Sequence, residues 1–431
     1  MSQTFALATL GCKTNQFESA SLEQMLREAG YTPVPFEQGA DLVVVNTCTV
    51  TAATDSQSRN LVRRARRLRP DCRVVVTGCY AQVDPAALLA IPGVSLVLGN
   101  EEKQDFLRLL QAGHAEGTAL VSENRQALTT TALPVAAFAE RSRAFVQIQT
   151  GCDAFCAYCI IPYARGRSRS VVAPAVLEQV AQLVAAGYPE IVLTGIHIGQ
   201  YGADLAPQLT LLQLLRQVVA ETGVQRLRLG SLEPTEISTA LLDWVAQSEI
   251  ICPHFHLPLQ SGDDAVLKRM NRHYTAAQFT ELVDRIHRRL PQGAIGLDVI
   301  AGFPGETEAE FANTLALIER LPISHLHVFP FSRRPGTPAA TMSGQIAAEV
   351  IKARAATLRA LGEVKQQAFA RRFVGQIVEV VVEGQGKGGM GRGLSRNYLP
   401  VRFTPAVAAE GRCSLVRITG MGGSELEGVA V

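Results

Sequence analysis

Long apolar runs are missing from this 431-residue chain: nowhere do about 18 consecutive apolar residues occur, so no membrane-spanning helix is expected. The N-terminus, MSQTFALATLGCKTNQ, lacks a basic leading segment and has only a short apolar stretch, so no export signal is expected either. An excess of one charge is also missing. With 41 Lys and Arg against 39 Asp and Glu, the formal net charge is +2, and any affinity for a polyanion must come from local patches. The nine cysteines are an odd set gathered in ligand-like runs, which argues against a secreted disulfide framework and favours the reducing cytoplasm. What remains is ample for folding: 47% of residues are apolar, and the length suggests two to three domains with real cores.

The sharpest feature is GCDAFCAYC, which places Cys152, Cys156 and Cys159 in a C-x3-C-x2-C spacing directly after the strand-like AFVQIQT. Three thiolates on one short loop are a metal-ligand set. A structural zinc site closes its shell with four ligands, and no C-x-x-C or H-x3-H partner follows downstream. A [4Fe-4S] cube held by three cysteines instead keeps one iron open for a small molecule. This spacing, with Tyr158 before the last cysteine, resembles the radical S-adenosylmethionine (SAM) enzymes. The resemblance implies that the open iron chelates SAM and that electron transfer from the cube cleaves it to a 5′-deoxyadenosyl radical, while the protein supplies orientation and seclusion.

Cys12, Cys48 and Cys79 form an independent pattern, each following a short β-branched run: TFALATLG, ADLVVVNT and CRVVVTG. Each therefore sits at the carboxyl end of a strand, where ligands gather in open α/β sheets, and a second three-cysteine cluster is geometrically sensible. The residues alone leave open whether this triad binds metal or is simply buried thiol. Cys72, at the opposite end of its strand, and the isolated Cys252 and Cys413 read as structural.

Residues 1–115 alternate strand and helix and predict a small parallel α/β domain; 116–142, rich in Ala, Thr and Ser, read as a linker. From 143 to 370 six strand candidates, AFVQIQT, EIVLTGI, QRLRLGS, HFHLPLQ, AIGLDVIAG and HLHVFPF, alternate with amphipathic helices and predict a (β/α)6 partial barrel. Its chemistry belongs at the strands' carboxyl ends, which makes Thr194, Gly195, Ser231, Glu233 and Gln260, with Tyr158, candidates for holding the cofactor. The remainder, 371–431, has β-rich runs between Gly-rich turns and predicts a small antiparallel β-barrel.

Basic patches break the overall neutrality. RNLVRRARRLRP, residues 59–70, holds six arginines, and Arg63, Arg64, Arg66 and Arg67 in it, Arg165 and Arg167 in RGRSR, and Arg392 and Arg396 in the last domain are the candidate RNA contacts. A solvated helix face is the plain alternative for the first patch.

From TLGCKTNQFES to its end the chain resembles the methylthiotransferase branch of the radical SAM enzymes: a three-cysteine domain, a radical SAM barrel and a C-terminal RNA-binding TRAM domain. TLGCKTNQFES, CIIPYARGRSRS and LTGIHIGQYG look most like the subgroup acting on N6-threonylcarbamoyladenosine at tRNA position 37. The resemblance implies two [4Fe-4S] clusters, one on Cys152, Cys156 and Cys159 cleaving SAM, the other on Cys12, Cys48 and Cys79 carrying the sulfur that is methylated and delivered to adenine C2. It also implies a tRNA anticodon loop as partner, with an electron donor and a sulfur source that the sequence does not identify. Arg165, Arg167 and His197 are the expected donors for the substrate's carboxylate. The family often has a glutamate-containing turn where this chain has RGLSRNYLPVRF. An iron-sulfur electron carrier needs no six-unit barrel, and a zinc-stabilised RNA-binding module would need a fourth ligand that neither triad has.

Overall fold

The computed structural model describes residues 3–130, 132–138, 142–386, 389–404 and 411–431. The first domain runs β1 (Thr4–Thr9), α1 (Lys13–Glu28), β2 (Thr32–Pro33), β3 (Leu42–Thr47), α2 (Ala52–Leu68), β4 (Arg73–Gly78), β5 (Val94–Leu98) and β6 (Thr118–Leu120). Its six strands are parallel in the order β2-β1-β3-β4-β5-β6. The VVV runs read as doubly buried because they are: Val43, Val45, Val74 and Val76 pack on the α2 side, Val44 and Val75 on the α1 side. β6 corrects the linker reading of 116–142. Thr118–Leu120 completes this sheet, and Val135 and Phe138 are buried in the next domain's core, where Phe138 meets Phe145 edge to face at 5.8 Å.

The second domain begins with β7 (Arg143–Gln147) and a short antiparallel ribbon, β8 (Gln149–Thr150) with β9 (Arg169–Ser170). β10 (Glu190–Thr194), β11 (Leu227–Leu229), β12 (His254–Gln260), β13 (Ala294–Ala301) and β14 (His325–Pro330) complete a parallel, open six-strand barrel. Strands pair in the orders β7-β10-β11 and β12-β13-β14, and parallel bridges from Leu227 to Ile251 and Ser231 to His256 join the halves. One face of each strand is apolar and meets the helices, as with Phe255, Leu257, Ile295 and Leu297; the lumen face is polar. The helix Ala348–Arg371 then packs along β14, with Gly362 lying against Leu326.

The last domain is a closed five-strand barrel ordered β15 (Ile377–Gln385), β16 (Gly391–Ser395), β17 (Pro400–Thr404), β19 (Glu425–Ala430), β18 (Cys413–Gly422). β16 emerges from what reads as a Gly-rich turn. Its glycines are needed for close approach: a Cβ at Gly393 would lie 2.1 Å from the Val381 carbonyl oxygen, and one at Gly391 2.5 Å from the Phe403 ring. This barrel seats on the amino end of the larger one. Buried Arg226 and Arg228 reach Glu190 at 2.8 and 2.7 Å, and across the seam Arg226 meets Glu379 at 2.9 Å while Arg228 donates to the Arg396 carbonyl at 2.9 Å.

Candidate active site

Cys12, Cys48 and Cys79 follow β1, β3 and β4, three adjacent strands, so the sheet itself brings them together. Two glycines close the gap. Gly11, at φ +99°, would place a Cβ 2.8 Å from the Cys48 sulfur, and Gly78, at φ +98°, one 2.4 Å from the Thr47 carbonyl oxygen; side chains at either position would push the cysteine loops apart. Burial, then the neighbouring Cys79 and, less, Cys12, pushes the Cys48 thiol up to about 12. Cys48 and Cys79 are buried and Cys12 is exposed; a desolvated thiol loses its proton when a metal cation takes the proton's place, which is the donor chemistry an iron cluster fits. Cys72 is buried at the far end of β4 among apolar side chains, Cys252 is buried near Glu190, and Cys413 is exposed.

The barrel triad is held by its own loop. Gly151, at φ +73°, lies against the Arg167 carbonyl; Cys159 N–H donates to the Cys156 carbonyl at 2.9 Å, and Ala157 N–H to that of Met270 at 2.9 Å. Burial followed by Cys156 pushes Cys159 up to about 12, with Cys152 adding to it, so these three also converge. Arg272 donates to the Cys156 sulfur at 3.3 Å and pairs with Glu233. His197 sits between Cys152, with Nδ1 at 3.5 Å from its sulfur, and Glu236, at 2.7 Å from Nε2; burial would lower this imidazole, but these partners push it up to about 10.

Thr194 ends β10 and Gly195 follows it, Ser231 and Glu233 follow β11, and Gln260, at φ +63°, ends β12, so all lie at the barrel rim. Glu233 lines a cleft with Cys156, His197, Arg272 and Tyr274. Tyr158 points into an apolar cluster beside Ala157 and Phe303, and burial drives its phenol well up. Sequence reasoning missed Arg272, and also Gln149, whose side-chain oxygen accepts from the His197 N–H at 2.7 Å while its amide donates to the Gly151 carbonyl at 2.8 Å.

Arg165 corrects an expectation. Instead of facing RNA or a substrate carboxylate, it is 2% exposed and binds Glu18 at 2.6 Å, Asn15 at 2.7 Å and the Cys79 sulfur at 3.2 Å. Burial would raise the Glu18 carboxyl, but Arg165 and Lys103 hold it at about 2. A residue of the helix after the barrel cysteine loop thus walls the other triad. Glu18 stands one turn before Leu22 on the face that α1 buries, and a lone acid in that register was the one available signal.

Beside this wall lies a cleft of about 850 Å³, within the range of small-molecule sites, lined by Tyr80 next to Cys79, Ile160 next to Cys159, and Arg59, Arg125, Tyr163 and Arg334. Arg125 stacks over the Tyr163 ring at 4.9 Å. Of the other arginines, Arg63, Arg64 and Arg67 form an exposed face of α2, with Arg64 paired to Glu37. Arg167 is exposed near Asp153, and exposed Arg392 pairs with Glu425. Two more expectations are corrected: Arg66 turns back over Gly93 to donate to the Cys72 carbonyl at 3.0 Å, and Arg396 is spent in the seam on the Glu249 carbonyl.

Residues 4–99 match the family described as uncharacterized protein family UPF0004, and residues 146–318 match the radical SAM superfamily. The threonylcarbamoyladenosine tRNA methylthiotransferase MtaB of Bacillus subtilis (strain 168) is 41% identical over 422 residues, covering 96% of this chain and 93% of that protein. Its counterpart in Aquifex aeolicus (strain VF5) is 37% identical, with coverages of 92% and 96%. The tRNA-2-methylthio-N(6)-dimethylallyladenosine synthase of Syntrophotalea carbinolica is 35% identical, covering 97% of each chain. Among solved structures, the radical SAM methyltransferase TsrM of Kitasatospora setae, bound to cobalamin and a [4Fe-4S] cluster, superposes with a TM-score of 0.59 at 18% identity over 79% of this chain and 77% of that one, a likeness of fold.

Proposed function

Because the chain belongs to the radical SAM tRNA methylthiotransferase family, we propose that it methylthiolates C2 of N6-threonylcarbamoyladenosine at position 37 of tRNA, giving the 2-methylthio form. The observation that carries this reading is the shared wall: Arg165, from the helix after the barrel cysteines, contacts the Cys79 sulfur, so the barrel cysteine loop leads directly onto the other metal-fitting triad, and the sequence neighbours Tyr80 and Ile160 of Cys79 and Cys159 line one cleft. An electron carrier or a zinc module has no use for two incomplete thiol sets joined through one buried wall.

Cys152, Cys156 and Cys159 would hold one [4Fe-4S] cluster, and Cys12, Cys48 and Cys79 the other. Bound there, the clusters and SAM supply hydrogen abstraction from an unactivated aromatic carbon together with sulfur and methyl transfer. The chain's own residues set the stage. Arg272 and His197 donate toward the barrel thiols and offset their negative charge, while Glu233 and Glu236 fix both donors. Arg165, locked by Glu18, does the same for Cys79. The cleft receives a base splayed from the anticodon loop, at a cost that is small in single-stranded RNA. Arg125 faces that cleft from its stack on Tyr163, and we assign it the threonyl carboxylate in place of Arg165.

Nucleoside mass analysis of tRNA from cells with and without the gene tests the reading. The 2-methylthio derivative of threonylcarbamoyladenosine should vanish with the gene. Loss of the isopentenyl derivative instead would move the enzyme to the neighbouring subgroup, and unchanged tRNA with a modified ribosomal aspartate would remove tRNA as the substrate.

A further inference from the structure

The lumen of the large barrel carries a histidine cluster that the chemistry above does not use. His256 on β12, Gly296 on β13 and His325 on β14 lie side by side in register. A Cβ at position 296 would be 2.1 Å from His325 Nε2 and 2.9 Å from His256 Nδ1, so the missing side chain is what lets these two nitrogens lean toward each other. His254 stands one inward-facing step earlier on β12, and one nitrogen from each of the three rings lies within 4.8 Å of the others.

The hydrogen bonds sort the tautomers. His256 Nε2 is 2.8 Å from Asp298 Oδ1, which orients the ring and leaves Nδ1 free. His325 Nδ1 is 2.8 Å from the Ser324 hydroxyl, and its Nε2, like both nitrogens of His254, has no hydrogen-bond partner among the described residues. His254 is only 3% exposed, and unpaired polar atoms so deep are costly when they serve packing alone. A carboxylate or hydroxyl behind each ligating imidazole is the usual second support of a metal site.

We propose that His254, His256 and His325 form a three-nitrogen site for a divalent first-row transition ion, of which zinc is the best match to imidazole donors. Three protein ligands leave a tetrahedral ion one further position within the lumen. Of the charges facing the lumen, Arg228 shares Glu190 with Arg226, and Lys13, beside the Tyr398 ring, is offset by Glu190 and, less, by Asp298. Tyr398, from the small barrel, stacks on His254 at 4.5 Å, so the ion would tie β12 to β14 where the two barrels meet.

Co2+ titration of the full-length protein, prepared anaerobically with both clusters intact, tests this independently of the methylthiolation reading. A single equivalent should bind with ligand-field bands and without a sulfur-to-cobalt charge-transfer band. His256→Ala and His325→Ala should weaken binding more than about 100-fold, and the conservative Asp298→Asn by about 10–100-fold. Cluster iron should be unchanged in all three, and if the alanine variants misfold, the wild-type spectrum and Asp298→Asn still decide. No cobalt uptake, a thiolate band, or equal affinity in Asp298→Asn would each overturn the site. So would variants that alter only the KM for modified tRNA, which would make the lumen a substrate pocket.

Discussion

At the scale of single residues, the two triads predict separable losses. Anaerobically reconstituted protein should hold about eight irons in two cubes, and Cys152→Ala should keep only the auxiliary one. Cys48→Ala should still cleave SAM while forming no methylthiolated product, whereas Cys72→Ala should form product normally; iron analysis and nucleoside detection read both. The buried Arg165 adds a stability term. Arg165→Met leaves Glu18 with Lys103 alone and should cost about 3–5 kcal/mol in denaturant unfolding of the cluster-free protein. Because Glu18 is held at about 2, below its ordinary 4.5, its contribution is complete above about pH 4.5 and fades as pH falls toward 2. Glu18→Gln should flatten the unfolding curve in that window, and an unchanged slope would mean that the pair is not ionised as described.

At the scale of elements, α2 shows how one arginine-rich helix divides its work. Arg63, Arg64 and Arg67 face solvent, while Arg66 lies over Gly93 and caps a carbonyl on the apolar side. Neutralising the three exposed residues should lower tRNA affinity and reduce the slope of log K against log salt by up to about 0.7–0.9 for each phosphate contact removed. Arg66→Ala should leave that slope alone and lower stability instead. The helix and its five arginines, with Arg69 just past its end, were legible from composition. Which of them fold back was not, because that depends on Gly93, a residue of another loop. The sixth strand of the first sheet was hidden for a similar reason: Thr118–Leu120 has too few residues to show a period and is a strand only because the β5 edge pairs with it.

At the scale of the whole molecule, the seam between the barrels is held by Glu190 among Arg226, Arg228 and, more distantly, Arg143. Removing its carboxylate strands buried guanidinium groups, so Glu190→Ala should cost about 3–5 kcal/mol and loosen the C-terminal barrel, seen as faster proteolysis near residue 373 with both clusters retained. Deleting that barrel should weaken tRNA binding, but it also uncovers Arg228 and strips Tyr398 from His254, so lost binding there has to be compared with the Arg392→Ala surface variant. The sequence alone determined the barrel cysteine loop, the six-strand alternation and the three-part order, because these rest on covalent spacing and on periods of two and 3.6 residues. Tertiary structure alone decided the rest: that Arg165 is internal and Arg396 is turned into the seam, that Arg272 guards Cys156, and that His254, His256 and His325 meet over Gly296. A charged or ligating group's role is set by the partners that desolvate and neutralise it, and here those partners lie tens to hundreds of residues away, at separations that no local pattern encodes.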